Sequence, residues 1–125
     1  MSAAAPHDTA WPLELRYVRE RRVLEVDFDD GSTASLPAEL LRVESPSAEV
    51  RGHGGGQKTI VAGRRNVAIA RIEPVGTYAA RLVFDDGHDT GLYTWRYLHD
   101  LAARQNEVWD AYLKALAAKG LSRDG

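Results

Sequence analysis

The feature that most constrains the fold is a tetrapeptide, Phe-Asp-Asp-Gly, that occurs twice. The two copies, residues 28–31 and 84–87, lie 56 residues apart. In each copy a strand-like segment precedes the tetrapeptide, and a second strand and a helix-like segment follow it. An Asp-Gly pair between two such segments is a strong hairpin signal, because glycine tolerates a positive φ. The sequence therefore predicts two β-hairpin–helix units, with Leu36 and Leu92 in equivalent positions.

Weaker patterns predict the other elements of the first two-thirds of the chain. Residues 13–19 are partly alternating, which is typical of an edge strand. Pro37 suits the first position of a short helix in "PAELLRV". Residues 44–58 combine several glycines and prolines with little periodicity, which indicates a long loop. "TIVA" and "VAIARI" then predict two strands joined by the turn "GRRN".

The last third of the sequence is helical in pattern. Thr94 is a suitable cap for a helix that begins at Trp95. The expected buried stripe comprises Trp95, Leu98, Leu101 or Ala102, Trp109, Tyr112, Leu113 and Leu116. Gly120 is expected to end the helical region, and a break near residues 105 and 106 leaves one helix or two open. The whole predicts an α+β fold, an antiparallel β-sheet domain with two β-hairpin–helix units and a C-terminal helix around one shared core.

Composition excludes several classes of function. The formal net charge of −2 gives no basic face for nucleic acid. The absence of cysteine removes disulfides, thiolate nucleophiles and cysteine-based zinc or Fe–S sites. No apolar run is long enough to span a membrane, and the N-terminal residues lack the pattern of a secretion signal. A cytoplasmic location without membrane contact is the expectation.

One glycine-rich stretch, "GHGGGQKT" at residues 52–59, comes within one residue of a phosphate-binding loop. Gln57 stands where the second glycine of that motif belongs. A phosphate loop also needs a strand before it and a helix after it, so that backbone amides and the helix dipole converge on the phosphates. The strand-like segment that follows residue 58 does not meet this requirement. The glycines are therefore expected to form turns and not a nucleotide site.

The histidines supply the other candidate chemistry. His88 follows the second Asp-Asp-Gly turn, and the simpler interpretation is a histidine bonded to a carboxylate or to the backbone; a ligand or catalytic role is the alternative. For His53 in the glycine-rich loop, hydrogen bonding within the loop and surface recognition are equally supported interpretations. The paired aspartates occur in both repeats, which favours turn chemistry over acid–base catalysis. No hydrolase or zinc-protease motif is present.

Two longer stretches carry a resemblance to a known family. "LPAELLRVESPSAEVRGHGGGQ" and "VGTYAARLVFDDGHDTGLYTWRYLHDLA" resemble the gamma-butyrobetaine hydroxylase-like N-terminal domain family, in its bacterial stand-alone form of unknown function. The resemblance implies a small α+β domain over residues 13–104. Residues 1–12 are then a flexible arm, and residues 105–125 a C-terminal helical extension similar to those of such members.

What the family does carries over only in part. In the hydroxylases this domain precedes an iron/2-oxoglutarate barrel, for which 125 residues leave no room. The hydroxylase domain also holds zinc through clustered cysteines and a histidine. His88 matches that histidine, but the matching region "RVESPSAEVRGHG" has no cysteine, so no metal or other cofactor is expected. Related domains fused to Mrp-type P-loop ATPases imply a role beside Fe–S machinery.

These observations lead to a primary hypothesis and a rival. The primary hypothesis is a non-enzymatic binding or adaptor domain with a protein partner, accessory to Fe–S or metalloprotein assembly, such as an Mrp-type ATPase. Its surface would be the loop of residues 45–57 and the segment 85–92, with Glu49, Arg51, His53, Gln57, His88 and Asp89 as binding residues. The rival is an iron or zinc site that uses His88, His53 and nearby carboxylates. A small hydrolase, the third alternative, lacks a nucleophile–base motif.

Overall fold

The two Phe-Asp-Asp-Gly segments are hairpin turns in a computed structural model of the chain, which describes residues 10–51 and 58–125. The strands are β1 (Pro12–Val18), β2 (Val23–Phe28), β3 (Thr33–Pro37), β4 (Ile69–Val75), β5 (Ala79–Phe84) and β6 (Leu92–Thr94). The helices are α1 (Ala38–Val43), α2 (Ala48–Arg51), α3 (Trp95–Ala103) and α4 (Gln105–Ala118). The predicted α+β class is confirmed.

The strands form two antiparallel three-stranded sheets, in the orders β1-β2-β3 and β4-β5-β6. Each sheet is followed by two helices, so the repeated order is β-β-β-α-α, with one more strand than the predicted hairpin unit. The two sheets also share an irregularity. A register shift occurs between Pro12 and Glu14 in β1, and another between Ile69 and Arg71 in β4. The predicted edge strand is β1, which begins at Pro12.

The two turns share the same hydrogen bonds. Gly31 has φ +90° and donates to the Phe28 carbonyl at 3.1 Å, and Gly87 has φ +93° and donates to the Phe84 carbonyl at 3.2 Å. The side chain of the second aspartate accepts from the backbone amide two residues later in both turns, at 2.9 Å in the first and 3.0 Å in the second. The predicted turn role of both glycines is confirmed.

Replacing Gly87 by valine should lower the free energy of unfolding by more than about 1 kcal/mol, because a β-branched residue is strained at positive φ. No neighbour lies within 4 Å of a Cβ placed on Gly87, so the cost is conformational and not steric. Thermal denaturation of Gly87→Val and of its counterpart Gly31→Val should show similar losses. Thr33→Val, on an exposed strand position, should melt like the parent; a parental melting curve for Gly87→Val would contradict the interpretation.

The second unit has one more residue after its turn than the first. In the first sheet Leu36 pairs with Leu24, and in the second sheet the equivalent partner of Ala80 is Tyr93. Tyr93 is fully buried like Leu36, whereas Leu92 is 40% exposed. The predicted equivalence of Leu36 and Leu92 is therefore wrong, because the segment between His88 and Leu92 holds the extra residue.

The first helix of each unit contacts the turn of the other unit. Arg42, in α1, donates through Nε to Oδ2 of Asp86 at 2.8 Å. His99, in α3, lies with Nε2 2.9 Å from Oδ2 of Asp30 and packs its ring edge-on against Phe28. The two units therefore interlock across a shared core, as predicted, and apolar residues from both sheets, α1 and α3 form one cluster.

The helical region is divided in two. Arg104 lies between α3 and α4 with φ −110° and ψ 18°, which settles the question of one helix or two. Thr94 caps α3 by accepting from the Tyr97 amide, and Gly120 has φ +66° just after α4, both as predicted. Leu113, however, is 38% exposed and does not belong to the buried stripe. Among the described residues, no helix has both the length and the apolar composition needed to cross a membrane.

The segment before β4 differs from the prediction. "TIVA" is not a strand, and β4 begins at Ile69 instead of Val67. Ile60, Val61 and Ala62 pack beside Tyr112 and Leu116 of α4, and the Tyr112 hydroxyl donates to the Val61 carbonyl at 2.5 Å. Packing under α4 thus partly buries these apolar residues without strand pairing. The predicted long loop of residues 44–58 also contains the short helix α2.

Candidate functional site

His88 is the buried centre of a polar cluster whose outer members are exposed. Its side chain is 2% exposed. Nε2 lies 2.9 Å from Oγ of Ser45, and Nδ1 lies 3.1 Å from Oε1 of Glu49. Ser45 follows α1, Glu49 belongs to α2, and His88 follows the second turn. The histidine thus joins the segment after α1 to the second hairpin, in agreement with the predicted bond to a carboxylate.

Further contacts join the same two segments. The hydroxyl groups of Ser47 and Thr90 lie 2.7 Å apart, and the Ser47 amide donates to Oγ of Ser45 at 3.2 Å. Gly91 also packs against Ser45, since a Cβ on Gly91 would lie 2.4 Å from that Oγ. The extra residue of the second unit therefore occurs where the chain passes close to Ser45. We call Ser45, Ser47, Glu49, His88 and Thr90 the His88 cluster.

Electrostatics determine the proton positions in the cluster. Burial lowers the pKa of His88, the positive charge of Arg42 lowers it further, and Glu49 opposes both effects. The imidazole is therefore neutral at pH 7 and carries a single N–H. Because a carboxylate only accepts, Nδ1–H donates to Glu49 and Nε2 accepts from the Ser45 hydroxyl.

The order serine, histidine, carboxylate is that of a hydrolase relay, and sequence reasoning found no such set. Ser45, however, is 0% exposed, and its Oγ also accepts from the Ser47 amide. A nucleophile must reach a substrate, and the close packing of Gly91 prevents this. The arrangement acts as a structural link between two segments.

Protonation of His88 should couple to folding. The pKa in the folded state lies below the ordinary value of 6.5, so the unfolded chain binds more protons between these two values. The free energy of unfolding should therefore fall as the pH drops below about 6.5. Urea denaturation at several pH values between about 5 and 7.5 measures the slope. His88→Asn should flatten it, and an unchanged slope in that variant would assign the effect to other groups.

The donors around His88 do not fit the zinc centre that the family resemblance implies. Both ring nitrogens already have partners, and the groups nearest to them are a serine hydroxyl and one carboxylate. Zinc in structural sites takes four ligands, mostly thiolate and imidazole. Asp86 accepts from Arg42 and Arg64. In residues 10–51 and 58–125, no group of three or more His, Asp or Glu side chains is arranged to hold a metal ion.

The predicted site residues fall into separate places. Glu49 and His88 lie together in the His88 cluster. Asp89 is partly exposed in the β5–β6 connection. Glu73 raises the pKa of Arg81, and the negative charge of Asp89 adds to this effect. Arg51 contacts α3 instead. His53 and Gln57 lie outside the described residues, so their predicted role stays a prediction.

Arg51 belongs to a cleft of about 470 Å³ between α2, α3 and α4. One group of its lining residues is Glu44, Arg51, Lys58 and Tyr97. Arg51 donates through Nη2 to the carbonyl and Oε1 of Glu44, at 3.1 and 3.2 Å, and to the Tyr97 hydroxyl. Lys58 donates to the other Glu44 oxygen at 2.5 Å. Burial raises the pKa of Tyr97, so its hydroxyl remains protonated at neutral pH.

The rest of the cleft is apolar with a second charged group. Its apolar lining comprises Ile60, Leu101, Val108, Ala111 and Ala115. The second group lies where α3 meets α4, and there Arg104 pairs with Asp100 at 3.2 Å and with Glu107 at 3.4 Å. We call this surface the α3–α4 cleft.

Sequence reasoning missed most of this cleft. The sequence gives no sign that Glu44, Lys58 and Tyr97 act together. Glu44 and Tyr97 are far apart in the chain, and no local pattern signals a contact between them. The one available signal was the pair of basic residues, Arg51 and Lys58, on either side of residues 52–57.

Comparisons with known proteins agree with this fold. The family described as gamma-butyrobetaine hydroxylase-like, N-terminal, matches residues 15–99. Among curated proteins, none is significantly similar to the chain. Two proteins whose structures were solved in solution by NMR are similar to the chain. One is 49% identical, with a TM-score of 0.82 over 98% of this chain and 91% of that one. The other is 44% identical, with a TM-score of 0.81 over 93% of this chain and 91% of that one. A crystal structure of a DUF971-family protein of unknown function from Acidithiobacillus ferrooxidans is 46% identical, with a TM-score of 0.63 over 74% and 92%.

Proposed function

The chain belongs to the gamma-butyrobetaine hydroxylase-like N-terminal domain family, and we propose that it is a non-enzymatic binding domain that docks on a protein partner. The α3–α4 cleft is the docking surface. Its support is that α4 has 14 residues, whereas its counterpart after α1, the helix α2, has four, and the side chains of α4 line a cleft with an apolar floor and charged walls. An apolar centre with a polar rim is the usual anatomy of a protein interface.

A binding role also accounts for the His88 cluster. The cluster fixes α2 against the second hairpin, and α2 carries Arg51 into the cleft. A pre-organised side chain loses less conformational entropy when a partner binds. The buried Ser45 hydroxyl gives no support to a catalytic alternative.

The family resemblance suggests the partner. Because related domains are fused to Mrp-type P-loop ATPases, the proposed partner is a cytoplasmic ATPase of that type or another component of Fe–S assembly. The fused arrangement places the two proteins side by side in one chain, which supports an accessory role.

The proposal is tested with two matched charge insertions. Ala111→Arg places a cation on the exposed part of the cleft floor, and Leu13→Arg places one on β1, where Leu13 is 71% exposed. Affinity for the purified Mrp-type ATPase of the same source is measured for the parent and both variants. Ala111→Arg should weaken binding at least about tenfold, and Leu13→Arg should not change it. Equal affinities in all three proteins would exclude the cleft as the docking surface.

The rival hypothesis of a metal site leads to a separate prediction. Protein purified after expression in zinc- and iron-supplemented medium should carry less than about 0.1 metal ion per chain, because a metal would have to displace one partner of His88 and the described residues offer no group of three ligands. Elemental analysis of the parent and of His88→Ala measures this. One tightly held ion per parent chain that is lost in His88→Ala would make the metal site the better hypothesis.

A further inference from the structure

The first charged group of the α3–α4 cleft has an excess of positive charge. Arg51 and Lys58 both pair with Glu44, whose side chain is 7% exposed, so two cations surround one carboxylate. The cations themselves are accessible, with side chains 35% and 33% exposed. The group therefore retains one net positive charge that faces the cleft.

Toward the described residues, both cations keep unused hydrogen-bond donors. All bonds of Arg51 to described residues leave from Nη2, so Nε and Nη1 donate to none of them. Lys58 has three donors, and its one bond within the described part of the chain goes to Glu44. Donors on a cation bind an anionic oxygen more strongly than a neutral one. This end of the cleft is suited to a ligand with a negative charge.

The size of the charge selects among anions. One net positive charge balances a single carboxylate, whereas a phosphate with nearly two negative charges would keep an unbalanced charge beside Glu44 and be repelled by it more strongly. The second charged group has the opposite excess, since Asp100 and Glu107 share Arg104. An anion is therefore favoured at the Arg51 group and disfavoured where α3 meets α4.

The apolar floor defines the rest of the ligand. Val108, Ala111 and Ala115 lie at helical spacing on one face of α4 and extend over about 10 Å, at 1.5 Å per residue. An extended peptide advances by about 3.3 Å per residue, so roughly three residues match this length. The small side chains of the two alanines leave room for a larger apolar side chain of the ligand.

We infer that the α3–α4 cleft binds the C-terminal tripeptide of a partner chain, with its terminal carboxylate on Arg51 and Lys58 and an apolar last side chain on the α4 floor. The inference rests on the proposed docking function of the cleft and adds the chemistry of the bound segment. Capture of a C-terminal carboxylate is an established mode of peptide recognition.

Three small probes test the inference. The peptide acetyl-Ala-Ala-Leu with a free carboxylate, its C-terminal carboxamide and inorganic phosphate are each titrated to about 20 mM into ¹⁵N-labelled protein. The free acid should bind in the millimolar range and shift the amide signals of Arg51, Lys58 and α4. The carboxamide and phosphate should each bind at least about tenfold more weakly.

Matched variants locate the carboxylate. Arg51→Gln should weaken the free acid about tenfold, and Arg65→Gln, whose exposed guanidinium pairs with Asp124, should leave its affinity unchanged. The folded state of each variant is checked by its amide spectrum. Equal binding of acid and carboxamide, equal binding of phosphate, shifts elsewhere in the protein, or no binding of the free acid at about 20 mM would each overturn the inference.

The outcome is separable from that of the docking experiment. If Ala111→Arg weakens the ATPase interaction but the tripeptide acid and carboxamide behave alike, the docking function stands and the carboxylate inference falls. If the acid binds selectively and Ala111→Arg leaves the ATPase interaction intact, the cleft recognises a C-terminus of another protein.

Discussion

Gly91→Ala should destabilise the protein by about 3 kcal/mol, the upper part of the range for an overpacked interior. The added Cβ would lie 2.4 Å from Oγ of Ser45 and 3.2 Å from the Tyr93 ring, and both of these residues are fully buried. Ser45 can move only by breaking its bond to His88, which adds about 1 kcal/mol. Thermal denaturation should show a melting temperature lower by roughly 10 °C.

A double-mutant cycle identifies the cause of this loss. Ser45→Ala removes the atom nearest to the new Cβ, so the double variant should be more stable than the sum of the two single losses predicts, by at least about 1 kcal/mol. Gly31→Ala is the control, because it places a Cβ in open space at positive φ and should cost only about 1 kcal/mol. Additive losses would show that Gly91 and Ser45 do not meet as described.

The repeated architecture was accessible from the sequence because it depends on local chemistry. An Asp-Asp-Gly turn needs a positive φ at its glycine and a carboxylate that accepts from the backbone, and both requirements are met by adjacent residues. The Thr94 cap and the stop at Gly120 are local in the same sense. Each of these predictions was confirmed.

The errors occurred where distant residues decide the structure. "TIVA" has the composition of a strand, but contacts with Tyr112 of α4 bury it in another way. Leu92 lies 56 residues after Leu36, but the second unit has one extra residue before it. Tyr93, and not Leu92, therefore faces the core. A change of one residue reverses which side chains face the core of a strand, and no local pattern reveals where the extra residue lies.

The site was only partly accessible for the same reason. A bond from His88 to a carboxylate was expected. Glu49 as that carboxylate and Ser45 on the other ring nitrogen were not expected, because both lie in the distant segment after α1. The α3–α4 cleft depends on contacts of Glu44 with Arg51, Lys58 and Tyr97 that only the fold creates. From the sequence, a binding role was predicted for only one of these four residues, Arg51.

The interlocked helices explain why the two halves are not interchangeable. His99 is partly exposed where it contacts the first turn, whereas Arg42 is 8% exposed where it contacts the second. The second turn also carries His88 and faces the segment that positions Arg51. The contact between helix and turn is thus partly exposed in one half, and in the other half it supports the candidate site.

Arg42→Ala should therefore cost about 2 kcal/mol, less than loss of one partner from a fully buried ion pair, because the side chain of Asp86 is 19% exposed. Asp86 would keep only Arg64, which reaches it from the surface at 2.7 Å, and its remaining charge would be less well compensated. The equivalent change in the other half, His99→Ala, removes a partly exposed contact to Asp30 and should cost about 1 kcal/mol. Urea denaturation of both variants gives the comparison.

The Asp86 carboxylate provides the decisive control. Burial opposes its ionisation, but hydrogen bonds from the His88 amide and Arg42 outweigh this and hold its pKa below the ordinary value. Asp86→Asn keeps an acceptor for the His88 amide and removes the charge, so it should cost less in the Arg42→Ala background than in the parent. Equal costs for Arg42→Ala and His99→Ala, or an equal cost of Asp86→Asn in both backgrounds, would contradict this interpretation. The Arg42–Asp86 pair would then not distinguish the two halves of the fold, and another contact would have to hold the second turn beside the His88 cluster.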